Sequence, residues 1–214
     1  MKYRFIIFDF DGTLADTFPY VLSIINKVAE AHNLQRINKD DLNMLRTFNV
    51  QKLLEHFSLP IWKVAMLAKD FQSLMTKDIH KISLFQGIDT ILKQLHEEGV
   101  KLALVSSNSH INVTKVLGEE NADLFDHYEC GVSILGKKDK FLKILRNTGF
   151  DNSESLCIGD EIRDIEAAKK ANIPFGAVSW GYTHLDALQE YHPEETFFNV
   201  DDIYVKVMKS GAIC

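Results

Sequence analysis

The hexapeptide Phe8-Asp9-Phe10-Asp11-Gly12-Thr13 sets two carboxylates two residues apart at the end of an apolar run. In extended backbone, residues two apart project to the same side, so Asp9 and Asp11 share a face. Like charges buried this close are unfavourable unless a cation sits with them. Far along the chain, a second apolar run ends in Asp160-Glu161, with Asp164 shortly after. A strand end with one helix-capping Asp explains one carboxylate and leaves the others without a reason. Brought together, Asp9, Asp11 and Asp160 form a cage of hard oxygens. Such a cage suits Mg²⁺, which takes a few carboxylates, a backbone carbonyl, water and a substrate phosphate. Three carboxylates alone repel a phosphate, so the same site needs donors and positive charge. Lys137 in Gly136-Lys137-Lys138, where a helical pattern starts, offers a point charge. Ser106 and the amides beyond its strand end offer donors.

Apolar runs that end in Ser, Gly, Asp or Trp are the elements that must position these groups. They cover residues 5–10, 101–107, 128–132, 155–160 and 174–180, and helical patterns follow them. Strands alternating with helices predict a parallel α/β sheet covered on both faces, with the ligand outside the carboxyl ends of the strands. Residues 16–82 break the alternation. Val21, Ile24, Ile25 and Val28 follow helical spacing, as do Leu42, Leu45, Leu53, Leu54 and Phe57, and then Val64, Leu67, Ala68, Phe71 and Met75. This predicts a small helical bundle inserted after the first strand, with the apolar stripes as its core. Pro60 suits a helix start, and Gly87 marks the return to the sheet domain.

The chain has 214 residues, and 24 Lys and Arg against 30 Asp and Glu leave a formal charge of −6. That balance, with no local basic patch, argues against nucleic-acid or anionic-membrane partners. With 46% hydrophobic residues and 4 Pro, the chain can bury a large core. Cys130, Cys157 and Cys214 are odd in number and widely spaced, which argues against a disulfide framework or a zinc ribbon and for a cytoplasmic setting. The apolar N-terminal run meets Asp9 too soon to be a signal peptide or a membrane span. None of the 8 histidines falls in a metal-binding pattern.

In order along the chain, FDFDGTLADT, the strand ending in VSSN, the Gly-Lys that opens a helix, and IGDEIRDIEAAKKA resemble the four motifs of the haloacid-dehalogenase-like (HAD) hydrolases. The similarity spans nearly the whole chain and points to the phosphoglycolate-phosphatase-like branch. It implies a Rossmann-like parallel core made of residues 1–15 and 83–214, with residues 16–82 as an all-helical cap. By the same resemblance, Asp9 is the nucleophile that forms an aspartyl-phosphate, and Asp11 is the acid that protonates the leaving alcohol and then activates water. Ser106 or Ser107, with Asn108, would hold phosphoryl oxygens, and Lys137 or Lys138 would neutralise phosphate and nucleophile. Mg²⁺ would sit on Asp9, Asp160 and the Asp11 carbonyl, supported by Asp164 and Thr13. The implied substrate is a small phosphorylated metabolite, a phosphoglycolate-like monoester, and the implied assembly a monomer or homodimer. A phosphomutase of the same superfamily and a receiver-like phospho-acceptor domain are the competing readings. A receiver has no use for a helical bundle between its first two strands.

Overall fold

The computed structural model describes residues 1–131 and 136–209. Six strands form one sheet: β1 (Phe5–Phe8), β2 (Lys101–Val105), β3 (His127–Glu129), β4 (Ser155–Gly159), β5 (Phe175–Val178) and β6 (Glu195–Phe197). Their order is β3-β2-β1-β4-β5-β6, and every neighbouring pair is parallel. β1 is central, with Phe5 beside both Lys101 of β2 and Ser155 of β4. The order reverses between β1 and β4, and that switch point opens the crevice where ligands of such sheets bind.

Alternation along β1 divides the core in two. Ile6, Phe8 and Phe10 pack with α5 (Ile88–Glu97), α6 (His110–Ala122) and α10 (Asp201–Met208), whereas Phe5 and Ile7 pack with α7 (Lys137–Thr148), α8 (Ile162–Lys170) and α9 (Leu185–Gln189). A strand buried on both faces needs apolar residues at consecutive positions, which is why β1 reads as a continuous run. β6 was not anticipated, because Glu195-Thr196-Phe197 is a short edge strand with one fully buried side chain. Val132 of the run expected over 128–132, and Cys214, lie outside the described residues.

Between β1 and β2 the chain forms α1 (Phe18–Ala31), α2 (Leu42–Leu45), α3 (Val50–His56) and α4 (Ile61–Lys77). Pro60 precedes α4 in extended backbone, and Gly87, with φ of 90°, precedes α5. A two-stranded neck joins this segment to the sheet: the Asp16 amide donates to the Ser83 carbonyl (2.9 Å), and the Phe85 amide to the Leu14 carbonyl (2.9 Å). The middle pattern falls on two helices, α2 and α3. Asn49 starts α3 afresh, its side chain accepting from the Lys52 amide at 2.9 Å. The apolar stripes do not close into a solid core either. Val21, Ile25, Leu53, Leu54, Val64 and Leu67 are only half-buried and line a cavity of about 460 Å³.

Candidate active site

Asp9 continues β1 by donating its amide to the Ile158 carbonyl of β4 (2.9 Å), and its side chain takes the α7/α8 side of the sheet. There Lys137, the first residue of α7, lies 2.8 Å from Asp9 Oδ1 and 2.6 Å from Oδ1 of Asp164, in the first turn of α8. Asp160, just past β4, is fully buried. Its two oxygens accept from the Thr13 hydroxyl (2.8 Å) and the Tyr182 amide (2.7 Å). Carboxylate oxygens of Asp9, Asp160 and Asp164 lie within 4.8 Å of one another.

This buried cluster carries more negative than positive charge, since Lys137 is shared by two carboxylates and Arg163 pairs with Glu161 (2.5 Å). Asp9 Oδ2 and Asp164 Oδ2 are buried with no hydrogen-bond partner among the described residues. Burial pushes Asp9 up to about 7 against the pull of Lys137, and pushes Asp160 well above the usual carboxylate range with help from Glu161, Asp9 and Asp164. Burial draws the Lys137 ammonium down, but Asp164 and Asp9 more than offset it and keep it charged. An orphaned carboxylate oxygen amid excess buried anion is what a hard divalent cation satisfies, so the residues fit Mg²⁺.

Asp11 stands apart from the three. Its half-buried carboxylate accepts from Asn108 Nδ2 (3.1 and 3.2 Å), and burial raises it while that bond pulls the other way. Ser106 is fully buried, its hydroxyl oxygen accepting from the Asn108 amide (2.9 Å), so it shapes the turn after β2. Capping of α6 falls to Ser109 instead, which accepts from the Asn112 amide. Ser107 is half-buried, and its carbonyl accepts from Gln72 of α4. Lys138 is exposed, so of the two adjacent lysines only Lys137 faces the carboxylates.

Several contributors carried no sequence signal. Arg46, in the break between α2 and α3, donates to the carbonyls of Tyr182 (2.8 Å) and Gly181 (2.9 Å) and packs over Phe18 at 4.9 Å. The hydroxyls of Tyr182 and Thr17 are 2.7 Å apart. These contacts hold the segment between α2 and α3 against the loop that donates to Asp160.

Gly12 has φ of +78°, and a Cβ there would collide with the Asp160 carboxylate. Gly99 has nearly the same φ, +79°, with nothing among the described residues within 4 Å of an added Cβ. Both Gly→Ala changes incur left-handed strain of roughly 1–3 kcal/mol, lowering Tm by several degrees. Only Gly12→Ala is expected to remove activity as well; thermal melts and rate assays on the pair check this, and an active Gly12→Ala protein would show that Asp160 needs no such cradle.

Carboxylates, a buried lysine and turn donors around the switch point of a doubly wound sheet define a protein built for phosphoryl chemistry. The chain belongs to the haloacid dehalogenase-like hydrolase family, whose pattern it matches over residues 6–178. It is 30% identical to a phosphoglycolate phosphatase from Synechococcus elongatus over 190 residues, covering 88% of this chain and 90% of that one. A phosphoglycolate phosphatase from Aquifex aeolicus is 26% identical, covering 98% and 99%. Among solved structures, a haloacid dehalogenase-like hydrolase from Streptococcus pneumoniae superposes with a TM-score of 0.77 at 17% identity, covering 96% of this chain and 98% of that one. These likenesses make it a hydrolase of phosphoric monoesters. No helix among the described residues is long and apolar enough to cross a membrane.

Proposed function

We propose that the chain is a Mg²⁺-dependent phosphatase of small phosphorylated metabolites, acting through an aspartyl-phosphate on Asp9, with phosphoglycolate, named in its relatives, as the reference substrate. The observation that carries this reading is the Lys137 ammonium 2.8 Å from Asp9 Oδ1 beside the orphaned Oδ2. Residues 1–15 and 83–214 act as the catalytic core and residues 16–82 as its cap. Among the described residues Cys130 and Cys157 form no disulfide, and we assign the protein to a cytoplasmic setting.

Asp9, Asp160 and the Asp11 carbonyl would hold the metal, and Asp164 and Thr13 would fix Lys137 and Asp160 in place. Bound there, Mg²⁺ supplies charge that lets a phosphate approach carboxylates. A carboxylate oxygen of Asp9 attacks phosphorus, the bond to the alcohol oxygen breaks, and Asp11 gives the departing alcohol oxygen its proton. Asp11, now ionised, takes a proton from water, whose oxygen displaces Asp9 and leaves as inorganic phosphate. Splitting the displacement lowers each barrier. Lys137 neutralises the shared Asp9–phosphate charge, while Asn108 aims Asp11 and the turn over Ser106 to Asn108 presents donors to the phosphoryl oxygens.

Excess EDTA is expected to abolish phosphomonoester hydrolysis, Mg²⁺ to restore it and Ca²⁺ to restore little, because Ca²⁺ prefers longer and looser coordination. Initial rates on phosphoglycolate and p-nitrophenyl phosphate check this. Undiminished rates in EDTA would remove the metal from the account.

A further inference from the structure

The 460 Å³ cavity opens on the site and runs away from the sheet, and its wall changes character along the way. At the sheet end stand Asp11, Asn108, Glu161 and Arg163. On α4 the wall continues through Met75, Phe71, Ala68 and Val64, a stripe at helical spacing. Met75 Sδ lies 2.9 Å from Asn108 Nδ2, so this stripe starts at the site. From Met75 to Val64 the helix rises roughly 16 Å at about 1.5 Å per residue. Val21, Ile25 and Val28 of α1 add to the same wall.

Among the described residues, no lysine or histidine lines the cavity. Its two guanidiniums both sit at the sheet end, Arg46 on the Gly181 and Tyr182 carbonyls and Arg163 on Glu161. Away from those guanidiniums the wall is apolar apart from the neutral Gln35, so a charged group there would find no ion pair among the described residues, and burying an unpaired charge is strongly unfavourable. Cavities of roughly 300–1,000 Å³ enclose ligands much larger than a two-carbon ester.

We propose that this cavity receives the alcohol portion of the substrate and that this alcohol is an uncharged, mostly hydrocarbon chain or ring. The assignment rests on the phosphatase reading of the site and deepens it: the phosphate is held at the strand ends, and the hydrocarbon lies along α4. Hydrolysis then releases the alcohol, carrying the proton from Asp11, into an apolar chamber. Arg46 and Gln72, bonded to core loops at its rim, position the chamber over the phosphate site.

The test is turnover of n-alkyl phosphates from ethyl to octyl with saturating Mg²⁺, beside phosphoglycolate, together with calorimetric binding of the non-hydrolysable n-alkylphosphonates. kcat/KM and affinity are expected to climb by up to roughly fourfold per methylene until the cavity is filled, with hexyl phosphate ahead of phosphoglycolate. Profiles flat or falling with chain length, or phosphoglycolate ahead of every alkyl ester, would overturn the assignment. If no ester, p-nitrophenyl phosphate included, is hydrolysed, the phosphatase reading fails; phosphonate affinity then still decides the chamber, length-dependent binding supporting it and length-independent binding overturning it. Ala68→Phe, and the milder Ala68→Leu, are expected to collapse the octyl-to-ethyl ratio of kcat/KM; an unchanged ratio in both would contradict a chain lying along α4.

Discussion

Asp9→Asn is expected to lower kcat by roughly 10⁴-fold or more, as loss of a nucleophile does when the rest of the site is left standing. The protein is not expected to unfold. Asn matches Asp in shape, and the change removes one anion from a buried cluster of Asp9, Asp160 and Asp164 in which two carboxylate oxygens lack partners among the described residues. The metal-free variant is therefore expected to melt at or above the native temperature. The rise in Tm that Mg²⁺ gives the native protein is expected to shrink, because stabilisation by a ligand follows its affinity. Melting curves with and without Mg²⁺, beside the rates, check both halves. A variant that keeps native turnover would move the nucleophile elsewhere.

Lys137→Ala is expected to be the second-largest loss, about 10²- to 10³-fold in kcat, the scale of removing one preorganised group that faces developing charge. It acts on stability as well. Lys137 is nearly inaccessible and bonds Asp9 and Asp164 at 2.8 and 2.6 Å, so its removal leaves buried carboxylates unneutralised at roughly 3–5 kcal/mol. Lys138→Ala, one residue along on the exposed side, is expected to change rate and melting temperature little. Mg²⁺ is expected to recover part of the lost stability in Lys137→Ala but not the lost rate. The two single variants assayed side by side decide the assignment, and the reverse order of damage would transfer the role to Lys138.

The sequence speaks most clearly where the backbone pattern and the chemistry coincide. Phe5 to Phe8 reads as a doubly buried strand because both faces of β1 are covered, and Asp9 and Asp160 stand out because ionised groups rarely follow such runs. Two choices required three dimensions. Gly136 before it favours Lys137 in sequence but leaves Lys138 open, and the direction of the first turn of α7 turns Lys137 inward. Ser106 and Ser107 are adjacent in sequence, and the turn after β2 buries Ser106 with its hydroxyl on the Asn108 amide while Ser107 stays half-buried. Other features left no local trace. Arg46 looks like any polar residue in a helical pattern, because its partners are carbonyls of Gly181 and Tyr182, far away in the chain. β6 pairs through three backbone residues at a sheet edge, too few to impose a pattern. The cavity was hidden because apolar spacing is the same whether a helix face meets another helix or an open chamber.

The central claim is that phosphate passes through Asp9 and is cleared with the help of Asp11. Rapid-quench labelling with a ³²P-phosphorylated substrate, followed by peptide mapping of the acid-stable, hydroxylamine-sensitive label, tests it most directly. The native protein is expected to carry a short-lived label on Asp9, and Asp9→Asn none. Asp11→Asn is expected to turn over an alkyl ester slowly while its response to Mg²⁺ survives, since the backbone carbonyl at that position is unchanged. With p-nitrophenyl phosphate, whose leaving group needs little protonation, Asp11→Asn is expected to accumulate the label, because the water that would clear it lacks its base. Label mapping to any residue other than Asp9, or native-rate turnover of an alkyl phosphate by Asp11→Asn, would contradict the two-aspartate account.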